Sequence, residues 1–325
     1  MSELRQDILT GEWVVFAENR NERPHDFVRK TSPKPSSALD CSFCPGKESE
    51  TPSPIYQNGK DGNWSIRVFP NMYPAVDYEG EGIVKDGFYR CGKGSGIHEV
   101  LVDTPLHTQK IHEFTAGHIA EILKVLKMRY DCIKNGEGIR YVQIFKNTGP
   151  EAGASIMHSH WQIMGIPVVP RTQQLSYFVA KKYLEESGGC IYCDILKHEL
   201  KEEKRIISIS EKFVVFAPYA SKISFEFWII PKEHISSLSD FNDGLISDLS
   251  LVLKEMLAKT SKITGETCYN ICFQDMPLGG EGREHSHWYV RIVPRLGSFA
   301  GFEFATGSYI NHIYPEKAAE FYRSF

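Results

Sequence analysis

The tetrapeptide His-Ser-His-Trp occurs twice, at 158–161 and at 285–288, and each copy runs into an apolar stretch closed by a proline, Pro167 and Pro294. A further histidine lies 51 residues ahead of each copy, His107 before His158 and His234 before His285. Upstream of each of those stands a Cys-x-x-Cys pair, Cys41/Cys44 and Cys190/Cys193. Residue types, order and spacing repeat together. The chain therefore reads as an internal duplication of two related halves, 1–170 and 171–325, each carrying the ligands for a metal ion.

At 325 residues the chain is long enough for two ordinary domains, and the duplication helps to place the elements. Each half is expected to begin with its Cys pair and continue in strands, the last leading to the lone histidine. A helix and a final pair of strands follow. In the first half Thr115 is the N-cap, Ile119, Ile122, Leu123, Leu126 and Tyr130 follow at helical spacing, and Asn135-Gly136 ends the helix. The second half answers with Asn242 or Asp243 as cap and Ile246, Leu249, Leu253 and Leu257 along one face. A β-rich run follows each helix, at 139–145 and 269–273, and a loop then leads into the strand bearing His-Ser-His. Alternation along that strand puts His158, His160 and Gln162 on one face and Trp161 and Ile163 on the other. Between the halves, 171–189 reads as a connecting helix or linker, and 32–37 is loop.

Composition excludes several function classes. A formal net charge of −4 argues against broad electrostatic binding of nucleic acid, and no run of Lys/Arg stands out. The N-terminal residues lack the apolar core of a signal peptide, and the longest apolar runs, such as 225–231, are far too short to cross a bilayer. A cytoplasmic protein is expected, with neither membrane nor nucleic acid as partner. In a reducing compartment the two Cys-x-x-Cys pairs read as metal or redox sites, whereas Cys91, Cys132, Cys268 and Cys272 read as plain thiols.

Two thiolates and two imidazoles suit tetrahedral zinc, and four protein ligands close the shell, which makes such a site structural. Redox dithiols would leave the matched histidines unexplained. The first set is Cys41, Cys44, His107 and His158. The second takes Cys190, Cys193, His234 and one of two residues: His285, named by strict alignment of the repeats, or His287, two residues on along the same face. With His158 spent on zinc, His160 is left free with Gln162 beside it. A neutral imidazole is a competent nucleophile toward phosphorus once a hydrogen bond to its other nitrogen fixes the tautomer. Gln162 can donate to a phosphoryl oxygen without adding charge, which suits a phosphoramidate that must last across two half-reactions. Ahead of the strand, 147–155 is small and polar, a loop able to offer backbone N–H groups and the Ser155 hydroxyl to a diphosphate. Without that loop, both histidines of a His-x-His would read as ligands or core residues.

His158-Ser-His160-Trp-Gln162, preceded by Asn147 and Gly153-Ala-Ser155, resembles the active-site signature of the galactose-1-phosphate uridylyltransferases, a family of the histidine-triad superfamily. The resemblance covers nearly the whole chain. Leu9-Thr-Gly-Glu-Trp-Val-Val with Arg20-Asn-Glu-Arg23-Pro is similar to the family's opening strand and arginine pair. Phe69-Pro-Asn71-Met-Tyr-Pro-Ala is similar to its nucleotide-contacting segment, and 301–311 with 315–319 to its C-terminal block. The resemblance implies an α+β fold, a tandem of two histidine-triad-like halves, each an antiparallel sheet with helices. It implies ping-pong transfer in which a histidine takes the nucleoside monophosphate from a nucleotide sugar, a sugar 1-phosphate leaves, and a second phosphate acceptor collects the group. His160 is then the nucleophile and Gln162 its phosphoryl partner, with Arg20, Arg23, Asn71, Asn147, Gly153 and Ser155 lining the nucleotide and diphosphate. Arginines fit that role, since a diphosphate needs charge-assisted donors. Two structural zinc ions per chain, and a homodimer in which 301–311 helps to build the neighbour's site, are implied as well.

The departures from the family pattern bear on the substrate. Ser159 stands where the best-known members have Pro, Ala154 where they have Cys, and Gly297 and Phe302 where a Lys and a Tyr grip the sugar phosphate. These differences resemble the branch that includes a plant ADP-glucose phosphorylase. That branch places one histidine immediately before the second-half Trp, which names His287 as the second site's ligand. It also sets adenylyl transfer from ADP-glucose to inorganic phosphate beside uridylyl transfer between UDP-glucose and galactose 1-phosphate. A non-catalytic nucleotide sensor is the remaining reading, and the intact His160/Gln162 pair argues against it.

Overall fold

The computed structural model describes residues 2–18, 38–59, 63–76, 83–264, 268–279 and 282–325. In chain order the strands are β1 (Glu3–Gln6), β2 (Trp13–Phe16), β3 (Tyr56–Gln57), β4 (Arg67–Pro70), β5 (Val84–Asp86), β6 (Tyr89–Cys91), β7 (Ile97–Val102), β8 (Tyr141–Thr148), β9 (His160–Ile166), β10 (Ile206–Ile209), β11 (Phe213–Phe216), β12 (Phe227–Pro231), β13 (Tyr269–Gln274), β14 (Tyr289–Pro294) and β15 (Tyr309–Asn311). The α-helices are α1 (Ala116–Ile133), α2 (Arg171–Ser187), α3 (Ile191–Glu202), α4 (Asp243–Thr264), α5 (Gly301–Thr306) and α6 (Pro315–Arg323).

The duplication is visible in the sheet. A ten-stranded sheet runs β10-β11-β12-β14-β13-β8-β9-β7-β4-β3, so each half contributes five strands and the two sets mirror each other about the β13–β8 seam. The pairings within it are antiparallel. The fold is α+β, as expected, but the two expected sheets are fused. At the seam Asn270 stands opposite Asn147 and Ile271 opposite Lys146. Joining β8 to β13 removes two edges that would otherwise present unpaired N–H and C=O groups.

One face of the sheet is closed by α1 and α4, and the apolar periodicity explains why. Thr115 accepts a hydrogen bond from the His118 backbone N–H at 3.1 Å, and the five residues read at helical spacing in α1 are all buried. Asn242 caps α4 through the Leu245 N–H at 2.9 Å, and Ile246, Leu249, Leu253 and Leu257 join the same core. Trp161 and Ile163 of β9 and Trp288, just ahead of β14, face these helices and are fully covered.

The opposite face is covered near each end by a Cys-bearing segment. In the first half Cys41, Phe43, Cys44 and Trp64 pack on Phe69, Val100 and Val102. In the second half the cover is helical: Ala180 of α2 and Ile191, Tyr192 and Leu196 of α3 pack on Phe216, Trp228, Ile230 and Tyr289. A helix that the sequence reading did not include intervenes here, since Cys190 is the N-cap residue of α3, before strands β10, β11 and β12 lead to His234. The segment read as helix or linker is the helix α2, whose one buried residue is Ala180, and Gly188 at φ 76° ends it. A second sheet, β1-β2-β15, ties the two ends of the chain together, with β15 parallel to β2. No helix among the described residues is long and apolar enough to cross a membrane.

Candidate active site and metal centres

Each Cys pair meets two histidines. Ligand atoms of Cys41, Cys44, His107 and His158 lie within 4.8 Å of one another, and so do those of Cys190, Cys193, His234 and His287. In the first cluster Cys41 Sγ is 3.6 Å from His158 Nδ1, and Cys44 Sγ is 3.5 Å from His107 Nδ1 and 3.6 Å from His158 Nδ1. In the second, Cys193 Sγ is 3.3 Å from His234 Nδ1 and 3.6 Å from His287 Nδ1. A tetrahedron with Zn–S near 2.3 Å and Zn–N near 2.05 Å has S···N edges of about 3.6 Å, so the spacing fits zinc. The rings are oriented for it: His158 Nε2–H donates to Thr104 C=O and His234 Nε2–H to Arg283 C=O, both at 2.7 Å, which turns Nδ1 toward the thiols. The hydrogen bond with Cys193 lowers the Cys190 thiol to about 4, while the same bond raises Cys193.

His287, not the aligned His285, faces the second cluster. His158 and His287 each lie two residues before the first residue of their strand, His160 in β9 and Tyr289 in β14. The tetrapeptide repeat is therefore offset by two residues against the structural repeat. His285 instead packs against the Tyr177 ring, centroids 4.7 Å apart.

His160 opens β9 on the face away from α1. Its ring sits against Phe43, centroids 5.4 Å apart, and its Nδ1–H donates to His158 C=O at 2.8 Å. That bond leaves Nε2 as the lone-pair nitrogen. Burial pushes His160 down to about 4, so the ring is neutral at ordinary pH. Gln162 follows on the same face, with Oε1 2.9 Å from His98 Nε2. Asn71, just after β4, places Nδ2 within 3.2 Å of the same His98 ring. Asn147, across the β8–β9 pairing, accepts from Asn270 Nδ2 of the second half at 2.9 Å. Gly153 adopts φ 82° at the end of a 3-10 turn, and Ser155 is exposed in the loop that follows. Arg20 and Arg23 lie outside the described residues, as does the loop at 32–37.

Two groups went unread in the sequence. His98 lies in the strand leading to His107 and belongs to no motif; its importance depends on the β7–β9 register, which places Val100 opposite Gln162 and His98 diagonal to it. Lys146 is the other, a fully buried ammonium beneath the His-Ser-His segment. It bonds Asp103 Oδ2 at 2.8 Å, Ser159 Oγ at 2.7 Å and His160 C=O at 3.1 Å. The C-terminal block divides in two. Tyr309–Asn311 belongs to this chain's own small sheet, and Asn311 Nδ2 donates to Ser221 C=O at 2.8 Å. Gly301–Thr306 has no buried residue, and Phe302 and Phe304 stand exposed.

Comparison with known proteins agrees along the chain. Residues 1–170 match the model of the galactose-1-phosphate uridyl transferase N-terminal domain, and residues 176–321 that of the C-terminal domain. ADP-glucose phosphorylase of Arabidopsis thaliana is 38% identical over 99% of this chain and 92% of its own length. Galactose-1-phosphate uridylyltransferase of Thermotoga maritima is 28% identical over 98% of this chain and 97% of its own. The crystal structure of the Arabidopsis ADP-glucose phosphorylase with bound ADP-glucose superposes with a TM-score of 0.86, at 35% identity, covering 100% of this chain and 99% of that one. The tandem fold, the paired Cys/His clusters and these matches together establish that this chain is an enzyme of the galactose-1-phosphate uridylyltransferase family.

Proposed function

We propose that the enzyme transfers a nucleotidyl group from a nucleotide sugar through a covalent adduct on His160. The observation that carries this reading is the hydrogen bond from His160 Nδ1–H to His158 C=O, which frees Nε2 on the same face as Gln162. In the first half-reaction Nε2 bonds to the α-phosphorus, the bond from that phosphorus to the bridging oxygen breaks, and hexose 1-phosphate leaves. The His158 carbonyl steadies the positive charge that develops on the ring. In the second, an oxygen of the acceptor phosphate attacks the same phosphorus, the N–P bond breaks, and the lone pair returns to Nε2. Gln162 donates to the phosphoryl group, and Arg20, Arg23, Asn71, Asn147, Gly153 and Ser155 line the nucleotide and diphosphate. Cys41, Cys44, His107 and His158, and likewise Cys190, Cys193, His234 and His287, would hold zinc in closed four-ligand shells, where it would cross-link distant segments of the chain. The second cluster also suits another divalent metal.

The donor and acceptor pair named by the family is UDP-glucose with galactose 1-phosphate. A second reading, adenylyl transfer from ADP-glucose to inorganic phosphate, is favoured by the 38% identity to the Arabidopsis phosphorylase and by Gly297 and Phe302. Exchange assays with UDP-glucose and ADP-glucose, each with galactose 1-phosphate or phosphate as acceptor, decide between them. Turnover with neither donor would refute the proposal. Further parts of the same reading are a division of the halves at 170/171, a cytoplasmic location that keeps the ligand thiols reduced, and a homodimer in which Gly301–Thr306 reaches the neighbour's site.

A further inference from the structure

The hydrogen bonds around His98 fix more than its own ring. Ala75 presents its backbone N–H to His98 Nδ1 at 3.2 Å. A backbone amide only donates, so Nδ1 carries the lone pair and, in the neutral ring, the proton sits on Nε2. Burial lowers the pKa of His98 and keeps the ring neutral. Its Nε2–H then donates to Gln162 Oε1 at 2.9 Å. Asn71 cannot compete for that proton, because its Oδ1 already accepts the Tyr73 N–H at 2.9 Å and turns its amino group to the ring. Of the two approaches of Asn71 Nδ2, the 3.2 Å one to Nε2 sets donor against donor, so only the 3.5 Å one to Nδ1 is a hydrogen bond.

The carboxamide of Gln162 is thereby held one way round. Its oxygen is engaged by β7, and its amino group makes no hydrogen bond among the described residues. In the reversed orientation the site would meet a phosphoryl oxygen with a carbonyl lone pair. We infer that His98 is a positioning residue for nucleotidyl transfer: its Nε2–H fixes the Gln162 amide so that an N–H, not a C=O, faces the transferred phosphoryl group. This rests on the function proposed above, with His160 as the nucleophile. His98 touches neither substrate nor the reacting atoms in this role: it acts on the phosphoryl group through Gln162, while its Nδ1 receives the Ala75 N–H and Asn71 Nδ2–H.

The test is a coupling measurement on the full-length, metal-loaded enzyme. With a nucleotide sugar labelled at the α-phosphate, His98→Leu should slow adduct formation about 10- to 100-fold, below the 10²–10³ that outright loss of a preorganised donor costs. Nucleotide-sugar affinity should change less than about threefold, since the ground state leans less on that donor. His98→Gln, which keeps an N–H donor, should recover part of the rate. In a Gln162→Ala background His98→Leu should cost no more than about twofold. An equal loss in both backgrounds overturns the role. A measurement needing no variant is ¹⁵N–¹H spectroscopy of the wild-type imidazoles: an Nε2–H tautomer at His98 is expected, and an Nδ1–H tautomer contradicts the inference. Failure of the wild type to form any His160 adduct would instead sink the functional reading and leave the tautomer result standing.

Discussion

Lys146 offers the clearest test of how the His-Ser-His segment is held. Its ammonium and the Asp103 carboxylate are buried to 2% and 0% exposure and 2.8 Å apart, with Ser159 Oγ and the His160 carbonyl completing the ammonium's partners. Burial pulls the Lys146 pKa down, and Asp103 opposes that shift. Lys146→Met preserves length and packing against the Trp161 ring, 5.5 Å from the ammonium, but strands a carboxylate in the core. Breaking a buried pair in this way costs about 3–5 kcal/mol. At roughly 2 °C per kcal/mol for a chain of this size, the melting temperature should fall by about 6–10 °C. Lys146→Met/Asp103→Leu removes both charges and should recover most of the stability. It should not recover full activity, because Ser159 and the His160 carbonyl still lack their anchor. Thermal unfolding with nucleotide-sugar exchange on the three proteins measures both parts. A single variant within about 1 kcal/mol of wild type, or a double variant with wild-type activity, would refute this account.

Three further expectations follow from the geometry. His287→Ala should lower bound zinc from about two to about one equivalent per chain by metal analysis, whereas His285→Ala should leave it at two; the converse would reassign the ligand. Burial raises Asp275 to about 6 from 3.8, so its neutral form favours the fold: that contribution is full below pH 3.8 and is lost as pH rises through about 6, a swing of about 3 kcal/mol. Asp275→Asn gives up one of the backbone bonds from Leu238 and Met276 at every pH, yet its denaturation curves should lose this slope, and parallel curves would contradict the assignment. Phe302→Ser with Phe304→Ser should weaken dimerisation and activity together in sedimentation and exchange assays; an active wild-type monomer would remove the dimer from the account.

Legibility followed the physics of each feature. Helical periodicity and caps located α1 and α4, because a core-facing helix needs its apolar residues at 3.6 spacing whatever surrounds it. The ligand residues were legible because both clusters draw on the same spaced types. The fused sheet was not, since nothing in β8 or β13 alone distinguishes a seam from a solvent edge. The helix opened by Cys190 was not legible because the two Cys pairs share a function, not a local conformation. The choice between His285 and His287 turned on a two-residue offset that keeps both on one strand face, which alternation cannot separate. His98 and Lys146 matter through partners 64 and 43 residues away in sequence, Gln162 and Asp103, and only register brings those together.

The most direct test is to trap the covalent enzyme and locate the group. Wild-type protein incubated with α-³²P-labelled nucleotide sugar, without acceptor, should retain label that is acid-labile and base-stable, and peptide mapping should place it on His160. His160→Asn should carry no label while keeping about two equivalents of zinc and an unchanged melting temperature, because His160 is not assigned to the metal. Label on any other residue, or near-normal exchange by His160→Asn, would contradict the account.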